Sequence, residues 1–480
     1  MLRGNASQRN TMNSDTVIKN GRIVTPSGVI GGDLAIRDGK IVSVGPEVTG
    51  ADTVIDATDH LVLPGGVDPH AHIEQMSGMG QWNADTFETA TRSAAMGGTT
   101  SVISFAAQGS GQTIRETVAD YAARARRGAM IDHAFHITVT DPDVPEFEKD
   151  IRQAVSEGHR SLKVFTTYNI QLDDAALLRV FRLARDAGAV VCVHAENDAI
   201  ISDARERLIA AGQTTPMDHA RSRPRIAEIE AIERICRFAE YLDQPVMIFH
   251  VSTAEGAAEI RAAQKRGAPV RSETCPHYLF MTSDVLDKPG IEGAKWMCSP
   301  PQRTKADQTA LWQALHDGTL SLISSDHAPY RFDATGKLSA GTNCGFHQIA
   351  NGLPGLETRL PLIFDAMVSR GSEGAFAFAE LTATAPARLY GLKSKGEIST
   401  GMDADIAIWD PTHKTTWGPD DLHDNVGYNP WDGYSVTGWP VKVLLRGNLL
   451  VDGGTFLGTP GSGRWIARPQ AVSFDEAQTG

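Results

Sequence analysis

"SLKVFTTYNIQLDDAALLRVFRLARDAGAVVCVHAEN", residues 161–197, reads as one folding unit. Its ends are short apolar runs, and its middle, residues 175–188, spaces apolar residues three and four apart before closing on Gly188 as a helix C-terminus does. Two parallel strands need a crossover of roughly a dozen residues or more, and a helix of this length supplies it. The order is strand, helix, strand.

The same texture repeats on both sides. Short apolar runs stand at HLVLPGGVDPHAH (60–72), TTSVISF (99–105), IDHAFHITV (131–139), SLKVFTT (161–167), VVCVHAE (190–196), PVMIFHVS (245–252), PVRSETC (269–275) and LSLISSDHAP (320–329). Each is followed by a stretch of helical periodicity, the last one, residues 373–391, after a long insertion. Eight alternations predict an α/β fold, a (β/α)8 TIM-like barrel over residues 64–394. Residues 15–63 and 395–458 differ: Asn-Gly, Asp-Gly and Gly-Asn turns separate short β-branched runs, which predicts a β-sandwich domain built from both termini. Residues 1–14 read as a disordered tail, and residues 459–480, with Trp465 and Ile466 as an apolar pair, as a C-terminal tail that is disordered or contacts an oligomer partner.

Composition narrows the functional classes. The 480 residues carry 45 Lys+Arg against 58 Asp+Glu, a net charge of -13 that repels phosphate backbones and anionic lipid, so no nucleic-acid or membrane partner is expected. No apolar run is long enough to span a bilayer and the N-terminus lacks a signal-peptide core, which makes the cytoplasm the expected compartment. The five cysteines are far apart with no Cys-x-x-Cys pair, and read as buried thiols.

In a (β/α)8 barrel the chemistry sits at the C-terminal ends of the strands. There the sequence places His70 and His72, Lys163, His194, His250 and Asp326. His70 and His72, two apart in an extended run, point to one side. Four imidazoles and a carboxylate suit a borderline divalent ion such as zinc. Lys163 puts an ammonium into an apolar strand, which a salt bridge, a Schiff-base role or conversion by CO2 to a carbamate could offset. Beside four histidines the carbamate fits best, because an ammonium repels cations and a carbamate binds them. His133 and His136, three apart on a strand, face opposite ways and read as structural. His60, His159, His219, His316, His413 and His423 read as solvated or capping, while His277, His327 and His347 fall near the mouth.

The ordered set DPHAH, LKVFTTY, VHAEN, FHVST, ETCPHYL, CSPPQR, SSDHAP, NGLPGLETR and GMDADIAIWDP resembles the hydantoinase/dihydropyrimidinase branch of the cyclic amidohydrolases, over about residues 15–455. The resemblance implies a hydrolase of cyclic amides with two divalent metal ions, most often Zn2+, bridged by a carboxylated lysine, in a homotetramer or homodimer. His70, His72, Lys163 and Asp326 would hold the more buried metal, and Lys163, His194 and His250 the more exposed one. Tyr168 would donate to the oxyanion, Ser299 and Asn351 would fix the substrate amide edge, and Asp326 would carry the proton to the leaving nitrogen. The product would be an N-carbamoyl or amido acid.

Some positions depart from that pattern. His277 stands where glutamine is common, and HAEND lacks a glycine after Asn197. Glu74 occupies the position where a dihydroorotase carries the arginine that holds its substrate's carboxylate, which disfavours that activity. Allantoinase or an imide-specific hydrolase is the neighbouring alternative. A non-catalytic scaffold would show gaps among the ligand positions, and all six are filled. Met76, Met79 and Trp82, in the loop after the first histidines, read as an apolar pocket lining suited to a bulky ring substituent.

Overall fold

The computed structural model describes residues 14–46, 48, 51–371, 373–472 and 474. Eight parallel strands lie side by side in sequence order: Gly66–Ala71, Thr99–Ala107, Asp132–Thr138, Ser161–Phe165, Val190–His194, Val246–Ile248, Val270–Thr274 and Leu322–Ile323. Register is fixed through the unit that opened the sequence, with Cys192 opposite Lys163 and His194 opposite Phe165. The seam between the eighth strand and the first is closed by the parallel bridge Ala71 to His327. Fully buried Arg359 spans it, donating to the carbonyls of Val67 at 3.1 Å and Ile323 at 2.9 Å.

The helices follow from their caps and apolar faces. Asp174–Ala187 starts where the Asp173 carboxylate accepts the Ala176 N–H at 2.8 Å, and ends on Gly188 at φ 77°. It buries Leu177, Val180, Phe181, Leu183 and Ala184 against the barrel. No helix among the described residues is long and apolar enough to cross a membrane.

Three stretches differ from the sequence expectation. The first apolar run divides between two sheets: Leu61–Pro64 pairs with the terminal domain, and Gly66–Ala71 is the first barrel strand. Gly65 makes the switch, where a Cβ would meet the Thr100 hydroxyl at 2.2 Å. Two helices, Asp198–Ala210 and Pro216–Ser222, stand between the fifth strand and its expected helix Arg225–Leu242. The last helical region begins earlier, at Arg359, and is interrupted by π-helical turns at Asp365–Ser369 and Glu380–Thr384.

The second domain comes from both ends of the chain. Its nine strands form one hydrogen-bonded sheet in which Leu61–Pro64 joins the N-terminal strands to Ile406–Thr416. One apolar cluster unites Ile41, near one edge, with Ile408 and Leu444 from the other half, so the sheet folds onto itself as a sandwich. The expected disordered tail 1–14 falls outside the described residues up to residue 13, and Ser14 already opens a strand.

The C-terminal tail is not loose where it is described. Ile466 N–H donates to the His133 carbonyl at 2.8 Å. Fully buried Arg468 reaches the Phe135 carbonyl at 2.7 Å and the Ser161 hydroxyl at 2.9 Å, so the segment is built into its own barrel.

The two domains are tied by a buried charge cluster. Lys395 Nζ lies 2.6 Å from Asp132, 2.7 Å from Asp405 and 3.0 Å from Asp403, and Arg446 also pairs with Asp132. Burial pulls the Lys395 ammonium down, and the carboxylates outweigh it and hold it above its ordinary value. Replacing Lys395 with Met leaves buried carboxylates without their shared cation, and should cost roughly 3–5 kcal/mol of stability. Urea unfolding of Lys395→Met checks this, and a loss below about 1 kcal/mol would show that the cluster contributes no more than a surface pair.

Candidate metal centre

The strand ends gather the ligand-type side chains at one mouth. Nε2 of His70 lies 3.0 Å from Asp326 Oδ1, and Nε2 of His72 lies 3.5 Å from the same oxygen. Ligand atoms of His70, His72 and Asp326 fall within 4.8 Å of one another. The imidazoles continue the array, with ring centroids 5.5 Å apart for His70 and His250 and 4.5 Å for His250 and His194. His250 and Asp326 both have left-handed backbone, φ 42° and 47°. Such conformations cost energy in non-glycine residues, and here they turn two side chains into the mouth just past their strands.

Lys163 stands inside this array. Its Nζ lies 4.0 Å from the centre of the Phe249 ring and 4.8 Å from that of Phe165, and it has no hydrogen-bond partner. Burial lowers its pKa from 10.5 to about 7, with Cys192, Asp326 and Glu273 opposing the shift. Nδ1 of His250 is likewise buried without a hydrogen bond, and Nε2 of His70 has only the Asp326 carboxylate beside it. Imidazole nitrogens and a carboxylate that converge while buried, one of them with no hydrogen-bond partner, fit a divalent cation.

The outer ring of interactions orients these donors. The Glu273 carboxylate, fully buried on the seventh strand, holds Nδ1 of His70, and Gln75 Oε1 lies 2.7 Å from Nδ1 of His72. Glu196 Oε2 lies 2.7 Å from Nε2 of His194 and also pairs with Arg223. Burial pulls the His70 imidazole down, but Asp326 and Glu273 outweigh it and raise it to about 9. A cation at Nε2 competes for the position this proton takes. Burial keeps His194 and His250 well below the ordinary histidine range, in the neutral form that ligates metal.

On the open side stand Tyr168, Ser299 and Asn351. The Tyr168 ring lies 5.4 Å from that of His194 and under the Arg223 guanidinium at 4.9 Å. Its φ of 70° is held by the Asp198 carboxylate, which accepts from the Tyr168 N–H at 3.1 Å and the Thr167 hydroxyl at 2.8 Å. Asp198 is the residue that follows Asn197 in place of the expected glycine. Burial raises the Tyr168 phenol, with the Ser299 and Asn351 side chains pulling the other way. Among the described residues, no hydrogen bond uses the backbone N–H or C=O of Ser299 or Asn351, although the carbonyls of Met297, Cys298 and Pro300 beside them are all engaged.

Residues 61–450 match the Amidohydrolase family. The chain belongs to this family. It is 40% identical over 457 residues to a D-hydantoinase of Rhizobium radiobacter, covering 95% of this chain and 99% of that one. Among solved structures it is similar to a D-hydantoinase, with TM-score 0.92, 38% identity and coverage of 96% and 100% of the two chains. A dihydropyrimidinase from Brevibacillus agri gives TM-score 0.91 and 37% identity over 95% and 99%.

Several sequence expectations for this amidohydrolase need correction. Met76, Met79 and Trp82 are 53%, 45% and 52% exposed, not buried against the ligands. They lie on a hairpin closed by the bridge Met76 to Trp82, whose Gly78 carbonyl accepts from Asn169 Nδ2 at 3.3 Å. Trp82 packs under Arg124 and faces a separate outer cavity of about 600 Å³ with Asn83 and Arg127. His347 is exposed. His327 is fully buried between Asp85, at 2.9 Å, and the Gly355 N–H, at 3.0 Å, with both ring nitrogens engaged in holding the loop. His277 is buried beside Ser325 and Leu353 with Nε2 unbonded. His159 is buried, as is His219, whose Nε2 lies 2.8 Å from the Cys298 carbonyl.

Sequence reasoning missed Glu196, Glu273 and Arg223. Glu196 carried the same signal as the paired histidines, a polar residue two beyond a strand-end ligand, and Glu273 is an acidic residue in an apolar run. Outer partners of metal-binding histidines typically change affinity about 10–100-fold when lost. Glu273→Gln should therefore lower the affinity for Zn2+ by that factor, measured by competition with a chromophoric chelator, and wild-type affinity would show that Glu273 does not orient His70.

Proposed function

We propose that this chain hydrolyses the ring of cyclic amides and ureides, hydantoins and dihydropyrimidines, to N-carbamoyl or amido acids. The observation that carries the reading is the meeting, at one barrel mouth, of His70, His72 and Asp326 within 4.8 Å with a pair of loops whose Ser299 and Asn351 backbone groups stay unbonded. His70, His72, Asp326 and Lys163 would hold one divalent ion, and Lys163, His194 and His250 a second, with zinc the metal that best suits this donor set. When bound, such ions make water nucleophilic near neutral pH and polarise a carbonyl.

The protein's own groups supply the rest. A ring amide presents a C=O and an N–H on one edge, and the free backbone groups of Ser299 and Asn351 match that pattern. Tyr168 donates its phenolic proton as a hydrogen bond to the ring oxygen where charge develops. Asp326 accepts the proton of the attacking water and delivers it to the ring nitrogen as the C–N bond breaks. Lys163 enters as its carbamate. Its pKa of about 7 leaves a substantial neutral fraction of the amine at neutral pH, which is the form that adds CO2. The five free cysteines accord with a cytoplasmic enzyme, and assembly into a homotetramer or homodimer belongs to the same reading.

A panel of hydantoin, 5-phenylhydantoin, dihydrouracil, allantoin, dihydroorotate and phthalimide, read by ring-opening absorbance, tests the substrate class. Turnover is expected for the first three, and activity confined to allantoin or phthalimide would replace the reading with the neighbouring one. Lys163→Ala should lose both metals and activity, with partial recovery on adding a short carboxylic acid, and full unaided activity would remove its bridging role. Asp326→Asn should lower kcat by several orders of magnitude, having lost both a ligand and the proton carrier. An unaltered pH-rate profile in that variant would reject the assignment.

A further inference from the structure

Lys337 is fully buried, lies outside the metal centre and, among the described residues, has no carboxylate partner. It sits on the insertion after the eighth strand, in RFDATGKLSAG, residues 331–341. That turn is rigid by construction. Asp333 accepts from the Thr335 N–H at 2.8 Å and the Thr335 hydroxyl at 2.6 Å, and Gly336 passes so close to the Arg331 carbonyl that a Cβ would meet it at 2.2 Å. The Lys337 N–H donates to the Arg331 carbonyl at 2.8 Å, which fixes where the side chain starts.

The amine ends between two loops. Nζ donates to the Ala350 carbonyl at 3.0 Å and to the Met297 carbonyl at 3.3 Å, and the Met297 carbonyl also accepts the Gly352 N–H at 2.8 Å. Ala350 precedes Asn351, and Met297 lies two residues before Ser299. Lys337 Nζ thus bonds a backbone carbonyl in each of the two loops. Burial lowers its pKa from 10.5 to about 7, against a weaker opposing effect of Cys298. A methionine of similar length would fill this space without that desolvation, so the amine is kept for the two bonds it makes.

We infer that Lys337 is a positioning residue that sets the spacing between the Ser299 and Asn351 loops, and through it the affinity for the ring amide edge. The inference rests on the reading of those loops as the substrate cradle. Because contacts to the amide edge are made in both the ground state and the transition state, loosening them raises KM more than it lowers kcat. The same turn touches the 76–82 hairpin, where Gln81 Nε2 donates to the Ser339 hydroxyl at 2.9 Å.

The test uses the zinc-loaded full chain as Lys337→Met and Lys337→Gln, with metal content by mass spectrometry and steady-state kinetics on dihydrouracil and hydantoin. Lys337→Met should keep its full metal content and a kcat within about threefold of wild type, with KM raised about tenfold or more. Lys337→Gln, which retains an N–H donor, should recover part of that KM. Wild-type KM in a folded, metal-loaded Lys337→Met protein overturns the inference, as does a loss of kcat and metal at unchanged KM. Failure of both variants to fold would make Lys337 a stability residue only, and also overturns it. Wild-type turnover in the same assay keeps the two readings apart: its absence sinks the substrate cradle, while its presence with unchanged variant KM sinks only the role of Lys337.

Discussion

Lys163 stands in the barrel wall with its Nζ against the faces of Phe249 and Phe165 and no hydrogen-bonded partner, and a cation so placed is costly to desolvate. Aromatic faces offset part of that cost. Burial lowers its pKa to about 7 against the opposing effects of Cys192, Asp326 and Glu273, which makes this amine far easier to deprotonate than a surface lysine. The other donors are arranged around it. His70 is braced from behind by Glu273, His194 by Glu196 and Arg223, and His72 by Gln75. Each brace fixes which ring nitrogen faces inward, so the set converges on the volume next to Nζ.

The barrel makes that convergence possible by holding short strands at fixed register. His194 is opposite Phe165, and Lys163 opposite Cys192, so two donors separated by a helix in sequence rise from adjacent strands. Beyond the strand ends, strained backbone does the fine aiming. His250, Asp326 and Tyr168 all adopt positive φ, and each lies within three residues of a strand terminus. Asp198 shows how such strain is held: its carboxylate bonds the Thr167–Tyr168 turn, accepting from the Thr167 hydroxyl and the Tyr168 N–H.

Outside the ligand set, the long connections serve the mouth in layers. The cradle segment 297–300 is held on every carbonyl except that of Ser299, by Gly352 and Lys337, by His219 and by Tyr278. Gly352, at φ 150°, could not carry a side chain, since a Cβ would lie 2.2 Å from the Ala328 carbonyl. The tail performs the corresponding task away from the mouth, where Arg468 satisfies the Phe135 carbonyl and the Ser161 hydroxyl. Buried backbone carbonyls need donors, and in this fold distant segments supply them.

The sequence by itself determined the eight strand-helix alternations, the two-ended β domain and the six ligand-type residues. Each of these is written in local signals: periodicity, glycine caps, and a polar residue at the end of an apolar run. It also held the case of Lys163, because an ammonium in an apolar strand is anomalous at any register. The tertiary structure alone decided which groups stand behind the ligands. Glu273 and His70 are 203 residues apart and Lys337 and Met297 are 40 apart, and nothing local records that they meet. It also decided that Gly65 passes the chain from one sheet to the other, that Met76, Met79 and Trp82 face outward, and that His219 is buried. Those outcomes depend on what packs against a residue from elsewhere in the chain, and periodicity carries no information about that.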